Sequence, residues 1–286
     1  MKGIILAAGK GTRMYPMTIP VCKPLVPVYD KPLIYYSLAV LMQAGIRDVL
    51  IIVPPDEIHA FEKLFGNGSQ LGMNISFDVQ TVQRGIADAF LIGKSFIGSD
   101  SVCLILGDNI FCGDSLLGSL KAAQKNPNAT IFGYRVADPR PFGVVEFDDD
   151  GNAVSIEEKP QNPKSDYIVP GLYFYDNSVV KIAEQITPSA RGELEITSVN
   201  NEYLKRGALK VEKLDPSIAW LDAGSAESLL TASNYIHDVQ EKTGKQVACP
   251  EQIAFEMGYI SREQLLMQGE RMKTTAYGQY ILSRYQ

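Results

Sequence analysis

The stretch Gly3-Ile4-Ile5-Leu6-Ala7-Ala8-Gly9-Lys10-Gly11-Thr12-Arg13 joins a short apolar strand to a glycine loop that ends in a cation. A glycine loop directly after a first β-strand lets backbone N–H groups approach phosphate oxygens, because no Cβ stands in the way. This stretch therefore predicts a nucleotide-phosphate site at the beginning of the chain.

Two better-known glycine loops do not fit this stretch. The dinucleotide fingerprint requires a third glycine where Met14 stands, and an acid closing the next strand about 20 residues further on. Asp30 lies instead in a proline-rich loop. A P-loop requires Gly-Lys followed by Ser or Thr, whereas Lys10 is followed by Gly11. A nicotinamide dehydrogenase is excluded by the same glycine pattern.

Apolar strand-like runs alternate with helical patterns through the first half of the chain. The strands are predicted at 3–6, 49–53, 75–79 and 102–106, and the helices at 32–44, 56–65 and 86–97. Continuously apolar strands in this alternation predict an α/β fold, a doubly wound, mostly parallel sheet with helices on both faces. Ligands in such sheets bind beyond the carboxyl ends of the strands. We therefore expect the chemistry at residues 7–13, 80–85 and 107–109.

The second half of the chain has a different pattern, with hairpin signals from residue 129 onward. Strands are predicted at 144–147, 154–157 and 167–175, and amphipathic helices at 194–206 and 226–242. The three aspartates of 148–150 could be mistaken for a glycosyltransferase metal motif, but Asp and Gly favour a turn here. Residues 245–286 are predicted to be helical, with a role in packing and subunit contact.

Composition limits the possible functions. The 286-residue chain is 45% hydrophobic and carries a formal net charge of -6, which argues against a general nucleic-acid surface. Because the first strand is predicted at the very start of the sequence, we expect no signal peptide, and no apolar run reaches the ~18 residues of a membrane span. We expect a cytoplasmic protein without a membrane partner.

The four cysteines form no C-x-x-C pair, and we expect buried free thiols rather than metal ligands.

Two aspartates are candidate metal ligands. Asp108 follows the buried run Leu104-Ile105-Leu106-Gly107, and Asp222 lies in Trp220-Leu221-Asp222-Ala223-Gly224. Two carboxylates together with phosphate oxygens suit Mg²⁺, which prefers hard oxygen ligands. Either aspartate alone could equally be a strand-end or N-cap residue. The glycine loop favours the metal interpretation.

Four cations stand in glycine- or proline-rich contexts that indicate constrained loops, namely Arg13, Lys23, Lys159 and Arg191. Phosphoryl and nucleotidyl transfers need little covalent work from the protein, and most of the catalysis is electrostatic stabilisation of spread negative charge. Fixed cations meet that need, although each one alone is more often a solvated surface charge.

Several segments, in this order, resemble the sugar nucleotidyltransferase family and, within it, the glucose-1-phosphate thymidylyltransferases. They are 2–31, 106–111, 157–160, 171–176, 189–197 and 220–222, with 249–255 and 277–280 in the tail. The resemblance implies that the phosphate of glucose 1-phosphate attacks the α-phosphorus of dTTP in line, with Mg²⁺, giving dTDP-glucose and pyrophosphate. This is the first step of dTDP-rhamnose and deoxysugar biosynthesis. It also implies a homotetramer.

The resemblance assigns roles to particular positions. It implies a nucleotidyltransferase domain over 1–244, with a nucleotide-binding part to about residue 110, a β-rich sugar-phosphate-binding insertion at about 111–224, and a helical segment at 245–286. The implied nucleotide site is Leu6, Ala8, Gly9, Gly11, Thr12, Arg13, Lys23, Gln80, Gly85 and Asp108, in which Gln80 and Gly85 read the thymine edge. The implied sugar-phosphate site is Asn109, Gly143, Glu158, Lys159, Val169, Tyr173 and Arg191. The implied metal ligands are Asp108 and Asp222, and the implied catalytic residues are Arg13, Lys23, Asp108, Lys159 and Asp222.

The chain departs from the family around the base pocket. After Gln80 the family commonly has proline, where this chain reads Thr81-Val82-Gln83-Arg84, and the usual Gly-Leu-Ala-Gln-Ala becomes Gly85-Ile86-Ala87-Asp88-Ala89. One methyl contact discriminates by only ~1 kcal/mol or a little more, so an enzyme that uses UTP or both bases stays open as an alternative. A non-catalytic sugar-nucleotide sensor is disfavoured, because the metal acids and phosphate cations are all present.

A second departure concerns regulation. Family members are often inhibited by the pathway end product at a site between subunits, which uses a histidine after a Tyr-Gly pair and an arginine shortly before Trp-Leu-Asp. Those places here read Cys112-Gly113-Asp114 and Pro216-Ser217. We expect feedback by dTDP-rhamnose to be weakened or tuned to another sugar nucleotide.

Overall fold

The computed structural model describes residues 1–285, and within them the chain forms fourteen strands and eleven helices. The strands are β1 (Lys2–Leu6), β2 (Pro27–Val28), β3 (Lys31–Pro32), β4 (Asp48–Val53), β5 (Asn74–Val79), β6 (Val102–Leu106), β7 (Asn109–Cys112), β8 (Ala129–Arg135), β9 (Gly143–Phe147), β10 (Ala153–Glu158), β11 (Tyr167–Ile168), β12 (Leu172–Tyr175), β13 (Leu209–Lys213) and β14 (Ala219–Asp222). The helices are α1 (Ile34–Gln43), α2 (Ile58–Phe65), α3 (Asp88–Ile92), α4 (Lys94–Ile97), α5 (Leu116–Lys125), α6 (Ser178–Gln185), α7 (Ile196–Lys205), α8 (Ala226–Thr243), α9 (Pro250–Glu256), α10 (Arg262–Arg271) and α11 (Ala276–Tyr285).

Ten strands form one large sheet in the order β10-β9-β11-β8-β12-β6-β1-β4-β5, with β13 also paired to β8. The four strands β6, β1, β4 and β5 are parallel, and they are the four predicted from the apolar runs. β12 runs antiparallel to β6 and joins this half to the antiparallel strands β8 to β11. The predicted α/β fold with a mostly parallel central sheet is confirmed.

The central strands are apolar along their whole length because both faces of the sheet are covered. Ile5 and Ile51 belong to a core cluster that includes α1 and α2. Ile4 and Ile52 belong to a second cluster on the other face, which includes α3, α6 and α7. Successive side chains of a strand point to opposite faces, so each strand contributes to both cores. The layered arrangement leaves the ends of the strands free for ligands.

Two predicted elements are interrupted in the structure. The helical stretch 86–97 is divided at Gly93 into α3 and α4, where a Cβ would lie 2.9 Å from Ile4 Cδ1. The predicted strand 167–175 is two strands, β11 and β12, separated by Val169-Pro170-Gly171. Pro170 has no N–H to donate to a sheet, and a Cβ on Gly171 would lie 2.6 Å from the Leu106 side chain. The prediction of one continuous strand was wrong for this reason.

The C-terminal segment is helical, as predicted, and it packs on the face of the sheet that carries α1. Ile253, Leu265 and Ile281 belong to the same core cluster as that helix, and Tyr259 Oη donates to the Met42 carbonyl at 3.1 Å. Within residues 1–285, no helix is both long enough and apolar enough to cross a bilayer. All four cysteines are free thiols, and burial raises the pKa of Cys22 to about 12.

Candidate active site

The glycine loop follows the carboxyl end of β1 and turns sharply at Gly11. Gly11 has a φ of 62°, and a Cβ there would lie 3.0 Å from Lys23 Cβ. Thr18 Oγ1 donates to the Gly11 carbonyl at 2.7 Å, which holds the loop in this conformation. A Cβ on Gly9 would meet nothing within 4 Å, so open space lies above that residue. Only glycine suits the position of Gly11, because both the positive φ and the close approach exclude a side chain.

Lys23 and Asp108 form an ion pair at the base of the site. The Lys23 Nζ to Asp108 Oδ2 distance is 2.5 Å, and Asn109 Nδ2 donates to Asp108 Oδ1 at 2.9 Å. The Asn109 amide is fixed in turn, because its Oδ1 accepts from Trp220 Nε1 at 2.6 Å and from the Gly171 N–H at 3.1 Å. Burial raises the pKa of the Asp108 carboxyl, but the Lys23 ammonium and the two hydrogen bonds outweigh it, so that pKa lies below its ordinary value.

Asp222 is brought beside Asp108 by the pairing of β14 with β7. The two strands are antiparallel, and Asp222 stands opposite Asn109. Burial and the charge of Asp108 raise the pKa of Asp222, an effect that Lys23 and Arg13 only partly offset. A Cβ on Gly224 would lie 2.6 Å from Asp222 Oδ2, so that glycine makes room for the carboxylate.

Two neighbouring carboxylates without full compensation are a suitable donor set for a hard divalent cation. Among residues 1–285 no further histidine, cysteine or carboxylate completes a three-residue metal cluster with them. A cation held here would therefore need oxygen ligands from a substrate or from water, which is the usual way that Mg²⁺ is bound. The residues present fit Mg²⁺.

A cleft of about 390 Å³ opens directly above this pair of acids. It brings together, from the sequence-predicted residues, Arg13, Asp108, Asn109, Gly143, Glu158, Lys159, Val169, Tyr173, Arg191 and Asp222. A smaller cavity of about 140 Å³ adjoins it and is lined by Leu6, Gly9, Lys23 and Asp108, among others. Asp108 lines both cavities, so the predicted sugar-phosphate residues and the glycine loop meet at that carboxylate.

One wall of the cleft is built around Glu158 at the end of β10. Thr197 Oγ1 donates to Glu158 Oε2 at 2.5 Å, and Gly143 leaves room for this contact. Lys159, the next residue, has a φ of 46°, and its N–H donates to the Phe142 carbonyl at 3.0 Å. A left-handed backbone costs a residue with a side chain about 1 kcal/mol or more, and such strain is concentrated at functional sites.

Arg191, predicted as a phosphate ligand, is surrounded by three carboxylates. Its Nη2 lies 2.8 Å from Glu195 Oε1, 3.0 Å from Glu193 Oε2 and 3.6 Å from Glu158 Oε1. Burial lowers the pKa of Arg191, but these three acids outweigh it and raise that pKa overall. The guanidinium is therefore held in place over the cleft with an excess of negative charge around it.

The predicted base-reading residues lie in the loop after β5, which bonds to the glycine loop at Ala8 and contributes Ile86 to the cleft. The Gln80 N–H donates to the Val53 carbonyl at 3.0 Å, and Gln83 Nε2 donates to the Ala8 carbonyl at 2.7 Å. Gly85 has a φ of 105°, and a Cβ there would lie 2.5 Å from the Leu194 carbonyl oxygen. Neither Gln80 nor Gly85, both within the described chain, lines the cleft or the smaller cavity.

The remaining predicted residues of the glycine loop also lie off the two cavities in the described chain. Ala8 is buried and contacts the base loop through its carbonyl, and Thr12 begins a 3₁₀ turn that carries Arg13 into the cleft lining.

Ten residues that line the cleft were not among the predicted site residues, and they include Phe142, Gly171, Glu195, Thr197 and Trp220. Thr197 and Trp220 stand inside motifs that the sequence analysis singled out, so their motif context was an available signal. The hydrogen bond from Trp220 to Asn109 was not visible, because it joins residues 111 positions apart.

Another cavity, of about 420 Å³, lies away from the acids, where β7 meets the segment after α8. Cys112, Gly113, Asp114 and Ser217 contribute to its lining, together with Tyr235 and residues 245–248. The two segments that differ from the family's regulatory pattern are therefore neighbours in space.

Comparisons with known proteins identify the family of the chain. Residues 2–239 match the model of the nucleotidyl transferase family. A glucose-1-phosphate thymidylyltransferase from Neisseria gonorrhoeae is 54% identical over 283 residues, which are 99% of this chain and 98% of that relative. The solved structure of a Bacillus anthracis protein assigned to the same enzyme class, in complex with sucrose, is 39% identical with a TM-score of 0.77, over 83% of this chain and 96% of that one.

A solved UDP-glucose pyrophosphorylase in complex with UDP-glucose is 25% identical with a TM-score of 0.74, over 83% of this chain and 98% of that one. The resemblance inferred from the sequence and the predicted enzyme class, glucose-1-phosphate thymidylyltransferase, are confirmed by these relatives. The chain belongs to the nucleotidyl transferase family.

Proposed function

We propose that the chain transfers a deoxythymidylyl group from dTTP to α-D-glucose 1-phosphate and releases pyrophosphate, with dTDP-glucose as the product. The observation that carries this proposal is the position of Asp108, which lines both the cleft and the cavity beside the glycine loop. Two phosphate groups held in these two neighbouring spaces would meet at that carboxylate, as a nucleotidyl transfer requires.

The triphosphate is assigned to the glycine loop. The N–H groups around Gly9 and Gly11 would donate to its oxygens, and Arg13 and Lys23 would supply positive charge. As the α-phosphorus is attacked, negative charge moves to the leaving pyrophosphate, and these fixed cations stabilise it. The incoming phosphate oxygen is already an anion, so neither a general base nor a covalent enzyme intermediate is needed.

The sugar phosphate is assigned to the cleft. Glu158, oriented by Thr197, would accept hydrogen bonds from sugar hydroxyls, while Lys159 and Arg191 would hold the phosphate. The ring of Trp220, beside Phe142 at 5.3 Å between ring centroids, gives the cleft an apolar side against which a sugar ring can lie. Fixing both reactants in one orientation supplies a large part of the rate enhancement in such transfers.

Asp108 and Asp222 would hold Mg²⁺. When bound, the ion supplies charge neutralisation for the phosphate oxygens. The proposal is supported by the surroundings of Asp222, where burial and the charge of Asp108 raise the pKa and the nearby cations Lys23 and Arg13 lower it by less. The ordering of Asp108 by Asn109 would keep one carboxylate oxygen in a fixed position as substrate arrives.

The decisive experiment is pyrophosphate release measured over a grid of dTTP and UTP against several sugar 1-phosphates. We expect the highest kcat/KM with dTTP and glucose 1-phosphate. Release with neither nucleotide would overturn the proposal and favour a sensor. Higher kcat/KM with UTP would favour the second candidate, a uridylyltransferase or dual-base enzyme, which the likeness to UDP-glucose pyrophosphorylase and the altered base loop support.

Further parts of the proposal concern context. We assign residues 1–244 to the catalytic domain, with the nucleotide-binding part to about residue 110 and the sugar-phosphate-binding part at about 111–224. We assign residues 245–286 to packing and subunit contact. The assembly we propose is a cytoplasmic homotetramer. The reaction would begin dTDP-rhamnose or deoxysugar synthesis. Light scattering tests the tetramer, and a different particle mass would contradict it.

The cavity beside Cys112 and Asp114 is our candidate for a regulatory site with altered end-product feedback. A titration with dTDP-rhamnose is expected to inhibit weakly, and tight inhibition would contradict this proposal.

A further inference from the structure

A buried carboxylate lies behind the loop that follows β5. The Asp88 side chain is 1% exposed, and its oxygens accept hydrogen bonds from Gln80 Nε2 at 3.0 Å and from Arg84 Nη2 at 2.8 Å. Gln80 is also buried, whereas the Arg84 side chain is 57% exposed. A buried carboxylate is costly unless it is paired and hydrogen-bonded. Asp88 therefore depends on both donors, and it fixes both of them.

The contacts of the loop place this carboxylate on the nucleoside side of the site. The loop is joined to the glycine loop through Gln83 Nε2 and the Ala8 carbonyl. The sugar cleft extends along β12 and β14, and this loop contributes Ile86 to its lining. A nucleoside attached to phosphates at the glycine loop would extend away from that cleft, towards the carboxyl ends of β4 and β5. Gln80 stands at that end, and this step rests on the proposed function.

Asp88 determines which way the Gln80 amide faces. A glutamine amide has a donor face and an acceptor face of nearly equal size, so packing alone does not choose between them. An ionised carboxylate only accepts hydrogen bonds, and a reversed amide would place Gln80 Oε1 against Asp88 Oδ2. Nε2 therefore points to Asp88, with a long contact of 3.5 Å to the Gly85 carbonyl. The acceptor Oε1 is the polar atom left for a ligand.

We propose that Asp88 is a positioning residue for base selection, which makes Gln80 present an acceptor only. Thymine and uracil carry a donor at N3, whereas cytosine carries an acceptor there. The fixed amide would pair with the first two bases and place acceptor against acceptor with cytosine. This arrangement separates dTTP and UTP from dCTP and CTP, and it does not separate thymine from uracil.

The test uses the full-length enzyme, glucose 1-phosphate and four nucleotides, dTTP, UTP, dCTP and CTP. For the unmodified enzyme we expect kcat/KM with dTTP to exceed that with dCTP by about a hundred-fold or more, since a site built around a substrate N–H rejects analogues that lack it. In Asp88→Asn the neighbouring group can donate as well as accept, so the dTTP-to-dCTP ratio should fall at least about ten-fold. The dTTP-to-UTP ratio should not change.

Two further variants distinguish a positioning role of Asp88 from a purely structural one. Asp88→Glu keeps an acceptor-only group and should retain the ratio to within about three-fold. Asp176→Asn removes another partly buried carboxylate, which accepts from Ser178 and Tyr203 away from this loop, and it should leave the ratio unchanged. Thermal unfolding checks each variant. If Asp88→Asn does not fold, Asp88→Gln, with the residue common in the family, replaces it in the same assay.

The outcomes distinguish this inference from the proposed function. An active enzyme in which the amide variant keeps the parental dTTP-to-dCTP ratio overturns the role of Asp88 and leaves the proposed function intact. Equal use of dCTP and dTTP by the unmodified enzyme overturns the acceptor-only site as well. Failure of the unmodified enzyme to release pyrophosphate with any nucleotide overturns the proposed function itself, and the inference with it.

Discussion

The two cationic regions of the site differ in how their charges are balanced. At the base of the site Lys23 meets one carboxylate, Asp108, at 2.5 Å, and both groups are largely buried. At the wall of the cleft Arg191 meets three carboxylates, and its side chain is 38% exposed. The first region is a rigid pair with Asp222 as an additional acid. The second is an arginine in an acidic environment, where a phosphate bound as we propose would compete with three acids for the guanidinium.

The largest effect on activity is expected at the ion pair of Lys23 and Asp108. Asp108→Asn removes one acid of the proposed metal site and leaves the Lys23 ammonium without its anion, so we expect kcat/KM to fall by about a thousand-fold or more. Unfolding should remain cooperative. The assay is pyrophosphate release, with Asp166→Asn as a control because that exposed acid pairs only with Arg135 in the described chain. High residual turnover would show that the metal assignment is wrong.

The next effect is at the wall of the cleft. Arg191→Met should lower kcat/KM for the sugar phosphate by about a hundred-fold, which corresponds to the roughly 2.7 kcal/mol expected for lost hydrogen bonds between charged groups. The KM for the nucleotide should change much less. Arg135→Met, at an exposed ion pair, is the matched control. An equal rise in KM for both substrates would place Arg191 outside the sugar-phosphate site.

A smaller effect of opposite sign tests whether the acids around Arg191 compete with a phosphate for its guanidinium. Glu193 is the most exposed of the three acids around Arg191, and Glu193→Gln should release part of the guanidinium for phosphate. An exposed pair of this kind contributes up to about 1 kcal/mol, so the KM for the sugar phosphate should fall about three-fold. Glu202→Gln, at an exposed pair with Arg206, should have no effect. A raised KM would indicate that Glu193 itself binds the substrate.

The smallest expected effect concerns stability. The pKa of Asp222 is raised above 3.8 in the folded state, so its ionised form destabilises the fold at neutral pH. Asp222→Asn should abolish activity and yet raise Tm at pH 7. That gain should shrink as the pH falls through the raised pKa and vanish below 3.8.

Asp215, whose pKa is lowered by hydrogen bonds from Ser217, provides the opposite control. Asp215→Asn should lower Tm at pH 7, and this loss should disappear in acid because the stabilising charge is lost below the lowered pKa. Differential scanning calorimetry from pH 3 to pH 7 measures both. The same sign for the two variants would contradict the electrostatic account of Asp222.

Much of the fold could be predicted from local patterns. The glycine loop was recognisable because Gly11 needs a positive φ, which glycine adopts without steric cost. The four parallel strands were recognisable because burial on both faces requires continuous apolar runs. The break at Pro170 and Gly171 was present in the sequence, but the high β-propensity of the flanking residues concealed it.

The sequence by itself determined the α/β class, the glycine loop and the family, because these depend on local backbone geometry, periodicity and motifs in order. Tertiary structure decided that Asp222 lies beside Asp108, since only the pairing of β14 with β7 brings residues so distant in the chain together. It also decided that Arg191 is surrounded by acids and that Asp88 holds Gln80. Such contacts depend on how side chains from separate elements pack, so local sequence patterns do not predict them.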